Sequence, residues 1–200
     1  MTLWQVSALT IALSIPVFAQ NQFVEPVSPL KGPGFEVGAG YEYLAMEGSS
    51  SQGVPLNGAT INGVMEFNGM WRASVDLSYV RTSNVLASGR DGYVWNLLGG
   101  PEFSLAEFRA GRLFLHALGG SALVDSALPV EGGYLHGWVA RPAFGAGGGI
   151  EKSLRGPFAF RVYGDYLRTE FADSLSQVAG RNNFRSVVSV TFRLPLGRVR

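Results

Sequence analysis

Few residues in this sequence could carry out acid–base or nucleophilic chemistry. Two histidines occur, His116 and His136, and either could act as a base toward the hydroxyl of Ser78 or Ser121, with Asp76 as an acidic neighbour. That combination would suit a hydrolase, but the constellation is incomplete. The simpler interpretation is that His116 joins a buried hydrogen-bond network, so we expect no enzymatic activity and no catalytic residues.

Signatures of metal and cofactor binding are also missing. His116 and His136 do not have metal-ligand spacing, and the chain has no cysteine for a thiolate site or a disulfide. The stretch FGAGGGIEKS at 144–153 lacks the last glycine of a dinucleotide fingerprint and the Gly-Lys-Ser/Thr of a phosphate loop. We therefore expect neither a metal nor a cofactor, and we interpret this stretch as a strand wall of small residues.

The charged residues are more informative. The 16 basic and 15 acidic residues nearly cancel, without a block of one sign, so no nucleic-acid partner is expected. Almost all of the cations are arginine, since the only lysines are Lys31 and Lys152. A guanidinium pairs carboxylates in a fork and is less strongly hydrated than an ammonium, so this bias favours an enclosed ion-pair network.

These charges lie on segments in which polar and apolar residues alternate with a period of two. Eight candidate strands follow from the alternation: 35–45, 59–68, 71–81, 93–104, 111–122, 138–151, 157–169 and 183–194. Most exceed the usual strand length of about 5 to 6 residues and reach the roughly 9 to 11 needed to cross a bilayer. Pro101 and Pro142 should mark bulges or strand ends, because proline cannot donate to a ladder.

The connections between the strands alternate in length. Four are long and rich in Gly, Ser and Asn: 46–58, 82–92, 123–137 and 170–182. The three between them are short: 69–70, 105–110 and 152–156. Outer-membrane barrels have this asymmetry, with short turns at one end and long loops at the other.

The apolar face of the strands sorts its aromatic residues by depth into two belts. Such belts are typical of membrane interfaces. Near the short turns they comprise Phe35, Trp71, Phe103, Phe158 and Phe192, and near the long loops Tyr41, Tyr43, Tyr79, Tyr93, Trp95, Trp138 and Tyr166.

The opposite face carries the charges and should line the interior as a structural ion-pair network. Its members are Glu36, Glu66, Arg72, Asp76, Glu102, Arg112, Arg141, Glu151, Arg161, Asp165, Arg185 and Arg193. The expected pairs are Glu66 with Arg72, Glu102 with Arg112, Glu151 with Arg161, Glu36 with Arg193, and Asp165 between Arg141 and Arg185. Each enclosed charge needs a partner, because an unpaired one can cost about 3 to 5 kcal/mol.

With these features the chain resembles, over residues 35 to 194, the small eight-stranded outer-membrane barrels, such as the transmembrane domain of the outer-membrane protein A family and the outer membrane protein beta-barrel domain group. The segment FRSVVSVTFRLPLG at 184–197 looks like the final strand that the barrel-assembly machinery recognises. The resemblance implies an all-β, antiparallel, up-and-down transmembrane barrel in a bacterial outer membrane. It also implies a monomer surrounded by lipid.

We expect a signal peptide at 1–19, a short leader at 20–34, the barrel at 35–196 and a tail at 197–200. The predicted function is non-enzymatic: a structural role, or adhesion and recognition of an unknown surface ligand through the long loops. Three alternatives stay open, namely a small-solute pore, a lipid A-modifying enzyme, and a secreted soluble lipocalin-like carrier with its apolar face inward.

Overall fold

The computed structural model describes residues 34–47, 53–85, 89–108, 111–125, 129–130, 133–134, 137–172 and 178–195. The strands are β1 (Gly34–Glu47), β2 (Gly53–Glu66), β3 (Trp71–Thr82), β4 (Gly92–Phe108), β5 (Gly111–Asp125), β6 (Pro129–Val130), β7 (Gly133–Tyr134), β8 (Val139–Ser153), β9 (Phe158–Ala172) and β10 (Val178–Pro195). The expected signal peptide and nearly all of the leader and tail lie outside these residues. Among the described residues no helix is long and apolar enough to cross a membrane.

Eight of these strands form one closed antiparallel barrel, in the order β1-β10-β9-β8-β5-β4-β3-β2. Closure comes from the pairing of β1 with β10, whose ladder runs from Gly34 opposite Pro195 to Met46 opposite Asn183. The short strands β6 and β7 pair only with each other, in the connection between β5 and β8. The predicted fold class is therefore confirmed, and a closed barrel leaves no strand edge with unpaired backbone groups.

Strands extend further than predicted toward one end of the barrel. We call this the loop end, where β1 joins β2, β3 joins β4, β5 joins β8 and β9 joins β10; the opposite end is the turn end. The predicted loop 46–58 is wrong, because β2 starts at Gly53 and stays paired with β1, with Leu56 opposite Leu44. The period of two continues there, with Val54 and Leu56 buried, although Gly, Pro and Asn favour turns.

The connection between β4 and β5 is shorter than predicted. Instead of a link at 105–110, β4 continues to Phe108 and β5 begins at Gly111. The two strands stay paired across a bulge between Ser104 and Ala106, which shifts their register by one residue. This shift changes which side chains of the two strands face each other at the turn end.

The two prolines differ in their positions. Pro142 is paired with β5 on one side. On the other side it lies just before the β8–β9 ladder, which starts with Ala143 opposite Thr169, so it is beyond that ladder as expected. Pro101 lies inside β4 and the register is the same on both sides of it, so the expected bulge or strand end there is wrong. The described pairing of β4 with β5 skips positions 100 and 101, where proline has no N–H to donate.

Burial alternates along the strands with the charges inside and the apolar residues outside. Ile61, Val75 and Leu97 are 52–57% exposed on the outer wall, whereas the interior residues Glu102 and Arg185 are 0% exposed. Such an outer wall requires a lipid surrounding, because it presents an apolar surface all the way round. The lipocalin-like alternative is therefore wrong, since its apolar face would point inward.

Candidate functional site

The interior of the barrel contains two layers of side chains with opposite chemistry. The charged layer lies toward the turn end and consists of Glu36, Glu42, Arg72, Asp76, Glu102, His116, Glu151, Arg161, Asp165, Arg185 and Arg193. The apolar plug lies toward the loop end and is one buried cluster of Leu44, Met46, Val54, Leu56, Val80, Val85, Val94, Leu98, Leu118, Ala122, Val124, Ala143 and Leu167. Together they decide whether the barrel can transport solutes.

Arg72 and Arg161 hold the first half of the charged layer together. Arg72 Nη2 lies 2.7 Å from Glu102 Oε1 and 2.9 Å from Glu151 Oε2. Arg161 pairs with the same two carboxylates and stacks over Phe114, with Cζ 3.9 Å from the ring centroid. Because β3 and β8 are not neighbours in the sheet, Arg72 and Glu151 meet across the lumen.

Arg193 extends this half of the layer to the seam of the barrel. Its Nε donates to Glu36 Oε1 at 2.6 Å, and its Nη2 donates to Glu151 Oε1 at 3.0 Å. Glu36 and Arg193 are opposite each other on β1 and β10. The strands that close the barrel are thus joined by a side-chain ion pair as well as by their backbone ladder.

Arg185 organises the second half of the charged layer. Its guanidinium binds Asp165 Oδ2 through Nε at 2.7 Å and Nη2 at 2.5 Å, and Nη2 also donates to Asp76 Oδ2 at 3.0 Å. A longer contact of 3.6 Å joins Nη1 to Glu42 Oε2. The hydroxyl of Tyr163 donates to Asp76 at 3.0 Å, so a neutral group completes this carboxylate's contacts.

His116 connects the two halves of the charged layer. Its Nε2 lies 2.5 Å from Asp165 Oδ1, and its Nδ1 lies 3.8 Å from Glu102 Oε2. Ser78 instead donates to Glu42, and Ser121 donates to the backbone carbonyl of Arg141. The described residues therefore do not assemble the serine–histidine constellation, in agreement with a network role for His116; His136 lies outside them.

Several expected ion pairs differ from those in the structure. Glu151–Arg161, Glu36–Arg193 and Asp165–Arg185 are present. Glu66 lies opposite Arg72 in the ladder but forms its ion pair with Arg112, at 3.5 Å. The expected pair of Glu102 with Arg112 is wrong, because the longer β4 places Glu102 opposite His116 and leaves Arg112 beside Glu107.

Arg141 is not beside Asp165, contrary to the expectation. The β8–β9 register sets Gly147 opposite Asp165, so Arg141 lies six residues closer to the loop end. It is only partly buried there. Glu42, by contrast, is in the charged layer and Tyr163 donates to it, although neither was among the predicted ion-pair residues. Their inward positions in the alternation are the signal that could have identified them.

Sequence reasoning missed the apolar plug. Its residues occupy inward positions near the strand ends, such as Val80 opposite Val94 and Val94 opposite Val124. The signal is present in the sequence, because polar inward residues give way to Val and Leu toward the loop end. It is weak in any one strand, since seven of the barrel strands contribute only one to three residues each and β10 contributes none.

The predicted interface aromatics all lie on the outward face of their strands or of the adjoining connections. At the turn end, Trp71 contacts Phe103 with ring centroids 5.1 Å apart, and Phe158 contacts Phe192 at 5.3 Å. At the loop end, Tyr79 contacts Trp95 at 4.7 Å and Tyr93 at 6.2 Å, and Tyr93 approaches Trp138 at 6.5 Å. The outward residues Phe35, Tyr41, Tyr43 and Tyr166 complete the set.

No protein-family model matches the chain, and no curated protein matches its sequence. Solved structures do share its fold. Neisserial surface protein A (NspA) is 16% identical to this chain, with a TM-score of 0.62. The match covers 81% of this chain and 99% of the NspA chain. Ail, the attachment invasion locus protein of Yersinia pestis, is 14% identical to this chain, with a TM-score of 0.51. The match covers 80% of this chain and 98% of the Ail chain.

These neighbours are small eight-stranded barrels, so the resemblance expected from the sequence is confirmed at the level of the fold. The neighbours are outer-membrane proteins, in agreement with the outer-membrane location expected from the sequence. Two features of this chain lead to the same conclusion independently, namely the closed barrel and the apolar outer wall. The interior layers and the outer wall are therefore the surfaces from which a function has to be inferred.

Proposed function

We propose that the protein is a non-enzymatic, non-conducting outer-membrane barrel that presents its loop end to a surface partner. The observation that carries this proposal is the double obstruction of the lumen. Arg72, Arg161 and Arg185 are fully buried in the charged layer, and Leu44 and Leu56 are fully buried in the apolar plug. A solute would have to displace both layers in turn.

The size of the barrel supports this interpretation. Eight strands enclose an interior that side chains can just fill. An ion crossing the charged layer would have to break arginine–carboxylate contacts, several of them under 3 Å. It would then have to enter the apolar plug, beside which the buried polar side chains of Asn183 and Thr169 are hydrogen-bonded to each other.

A sealed barrel is well suited to be a rigid support for loops. Binding residues commonly lie on loops held by a stable scaffold. Ail, one of the structures with this fold, carries the words attachment and invasion in its name and was also solved with the heparin analogue sucrose octasulfate. By analogy, the loop end of this chain is the surface for a partner, and the chain acts as a monomer inserted by the barrel-assembly machinery.

Conductance is the direct test of the sealed lumen. The mature chain, folded in detergent and reconstituted in planar bilayers, should add no stable current steps to the background. Folding is checked separately by comparing boiled and unboiled samples on a denaturing gel, because a closed barrel keeps a compact shape until it is heated. Stable, voltage-independent steps from a heat-modifiable protein would support the pore alternative instead.

Surface presentation needs a second measurement in intact cells. An epitope tag inserted in the connection 83–91 should be labelled by antibody without permeabilising the cells. The matched control is the same tag in the turn 154–157, which should be labelled only after permeabilisation. The opposite labelling would reverse the orientation and move the interaction surface to the turn end.

A further inference from the structure

Two strands carry the same four-residue pattern where they reach the loop end. The segments Tyr79-Val80-Arg81-Thr82 and Tyr166-Leu167-Arg168-Thr169 both read tyrosine, aliphatic residue, arginine, threonine. β3 and β9 run in the same direction, from the turn end to the loop end. Val80 and Leu167 are buried in the apolar plug, so the alternation turns the tyrosine and the arginine of each segment outward.

The arginines of this pattern lie beyond the apolar band of the wall. Tyr166 follows Phe158 by eight residues, which is about 26 Å along a strand at about 3.3 Å per residue. With a strand tilt of about 40° the distance along the membrane normal is about 20 Å, close to the roughly 25 Å of an outer-membrane apolar band. Arg168 is two residues further on and therefore reaches the level of the lipid headgroups.

Arg81 and Arg168 differ from the arginines of the charged layer in their contacts. Arg72, Arg161 and Arg185 each bind at least two carboxylates. Arg81 and Arg168 are exposed, and neither has a hydrogen bond or ion pair with a described residue. A guanidinium at headgroup level that pairs with none of the described side chains is complementary to lipid phosphate.

A groove lies beside Arg168. Arg168 is opposite Asn182 in the β9–β10 ladder. A cavity of about 280 Å³ lies on the outer wall here and is lined by Ala45, Glu47, Gly53, Tyr166, Asn182 and Phe184, among others. The groove therefore runs from the rings of Tyr166 and Phe184, each about half exposed, to polar groups at the rim.

The polar groups of the groove are held in fixed positions. The Tyr166 hydroxyl donates to Asn182 Oδ1, and the backbone N–H of Asn182 donates to Glu47 Oε2 at 2.8 Å. The backbone N–H of Glu47 donates to Asn183 Oδ1 at 3.3 Å. Aromatic faces beside oriented amide and carboxylate groups match a sugar ring, which has apolar faces and a rim of hydroxyls.

We propose that this part of the wall binds the phosphorylated sugar headgroup of an outer-leaflet glycolipid, with Arg168 on the phosphate and the groove of Tyr166, Asn182, Phe184 and Glu47 on the sugar. Arg81 provides a second phosphate contact, and the sugar is assigned to the groove beside Arg168. The inference rests on the outer-membrane location but not on the sealed lumen or on a loop partner.

Native mass spectrometry of the full chain in neutral detergent tests this site. The probe is bisphosphorylated lipid A, with phosphatidylglycerol as the anionic lipid without a sugar. Arg81→Gln should lower the retained lipid A about fivefold, as expected for about 1 kcal/mol per cation at an anionic surface. Arg168→Gln should lower it further, and Asn182→Ala should lower retention of lipid A but not of phosphatidylglycerol.

The matched control is Arg155→Gln, which removes an exposed arginine at the turn end and should retain lipid A like the wild type. Heat-modifiable gel mobility shows that each variant is folded, so loss of binding is separated from loss of the barrel. Equal retention by Arg168→Gln and wild type would overturn the proposal, as would an equal loss with Arg155→Gln. Equal retention of phosphatidylglycerol and lipid A by the wild type would overturn the sugar assignment.

Discussion

The charged layer and the apolar plug fill the same lumen, yet they depend on geometry to different degrees. In the charged layer, Arg161 has to reach Glu151 on the neighbouring strand β8 and Glu102 on the more distant strand β4, both at hydrogen-bond distance. In the plug, Leu56 only has to fill space among other aliphatic side chains. Burial of apolar groups is non-directional, whereas a buried charge is costly unless its contacts are made.

The difference indicates what each layer contributes to the stability of the fold. The charged layer specifies one arrangement of the strands, because a slipped register would leave carboxylates and arginines unpaired. The plug contributes burial at the loop end, where the strands extend beyond the predicted bounds. We infer that the charged layer is sensitive to chemically conservative substitutions and that the plug is sensitive mainly to loss of volume.

The largest effect should come from removing a central cation. Arg161→Met keeps most of the side-chain volume but leaves Glu102 and Glu151 without one of their partners. We expect a loss of about 3 to 5 kcal/mol in the free energy of unfolding, measured by urea titration in lipid vesicles. Arg155→Met, at an exposed arginine of the turn end, is the control and should change it little.

A cavity in the plug should have a smaller effect. Leu56 is fully buried, and Leu56→Ala removes three carbon atoms from the cluster. The expected loss in unfolding free energy is about 2 to 3 kcal/mol, at the lower end of the range for buried leucines because strand ends can relax. A loss larger than that of Arg161→Met, in the same titration, would reverse the inferred order of the two layers.

Conservative substitutions test the comparison most directly. Arg161→Lys keeps the charge but loses the fork on two carboxylates and the stacking over Phe114, so it should cost about 2 kcal/mol. Leu56→Met keeps the volume and should cost less than about 1 kcal/mol. Both values come from the same urea titration. Equal costs would mean that the charged layer does not depend on the geometry of its guanidinium groups.

Among the arginine substitutions in the charged layer, the smallest effect is expected at its edge. Arg193 bridges Glu36 and Glu151, but its side chain is 28% exposed. Water can therefore replace part of the hydrogen bonding that its guanidinium gives to the two carboxylates. Arg193→Gln should lower the free energy of unfolding by about 1 kcal/mol, as for partly solvated pairs. Raising the salt concentration should reduce this difference while leaving that of Arg161→Met nearly unchanged.

The seam and the strand ends show how far sequence reasoning reached. Glu36 with Arg193 was predictable, because β1 and β10 are the first and last strands of a closed barrel and the two residues lie at similar depth. Arg72 with Glu151 was not, since β3 and β8 are far apart in sequence and in sheet order. The start of β2 was missed because Gly, Pro and Asn at 53–58 favour turns, and the end of β4 because the alternation stops at the bulge between Ser104 and Ala106.

The sequence by itself determined which face of each strand meets lipid, because side-chain alternation is a local property and the solvent of each face follows from its composition. It also determined the antiparallel order and the depth of the aromatic residues, which depend on strand length and on turns between neighbours. Only the tertiary structure decided which carboxylate each arginine binds and where the charged layer gives way to the apolar plug. Those contacts cross the lumen, and the bulge in β4, the β4–β5 register and the tilt of all eight strands together set which side chains meet.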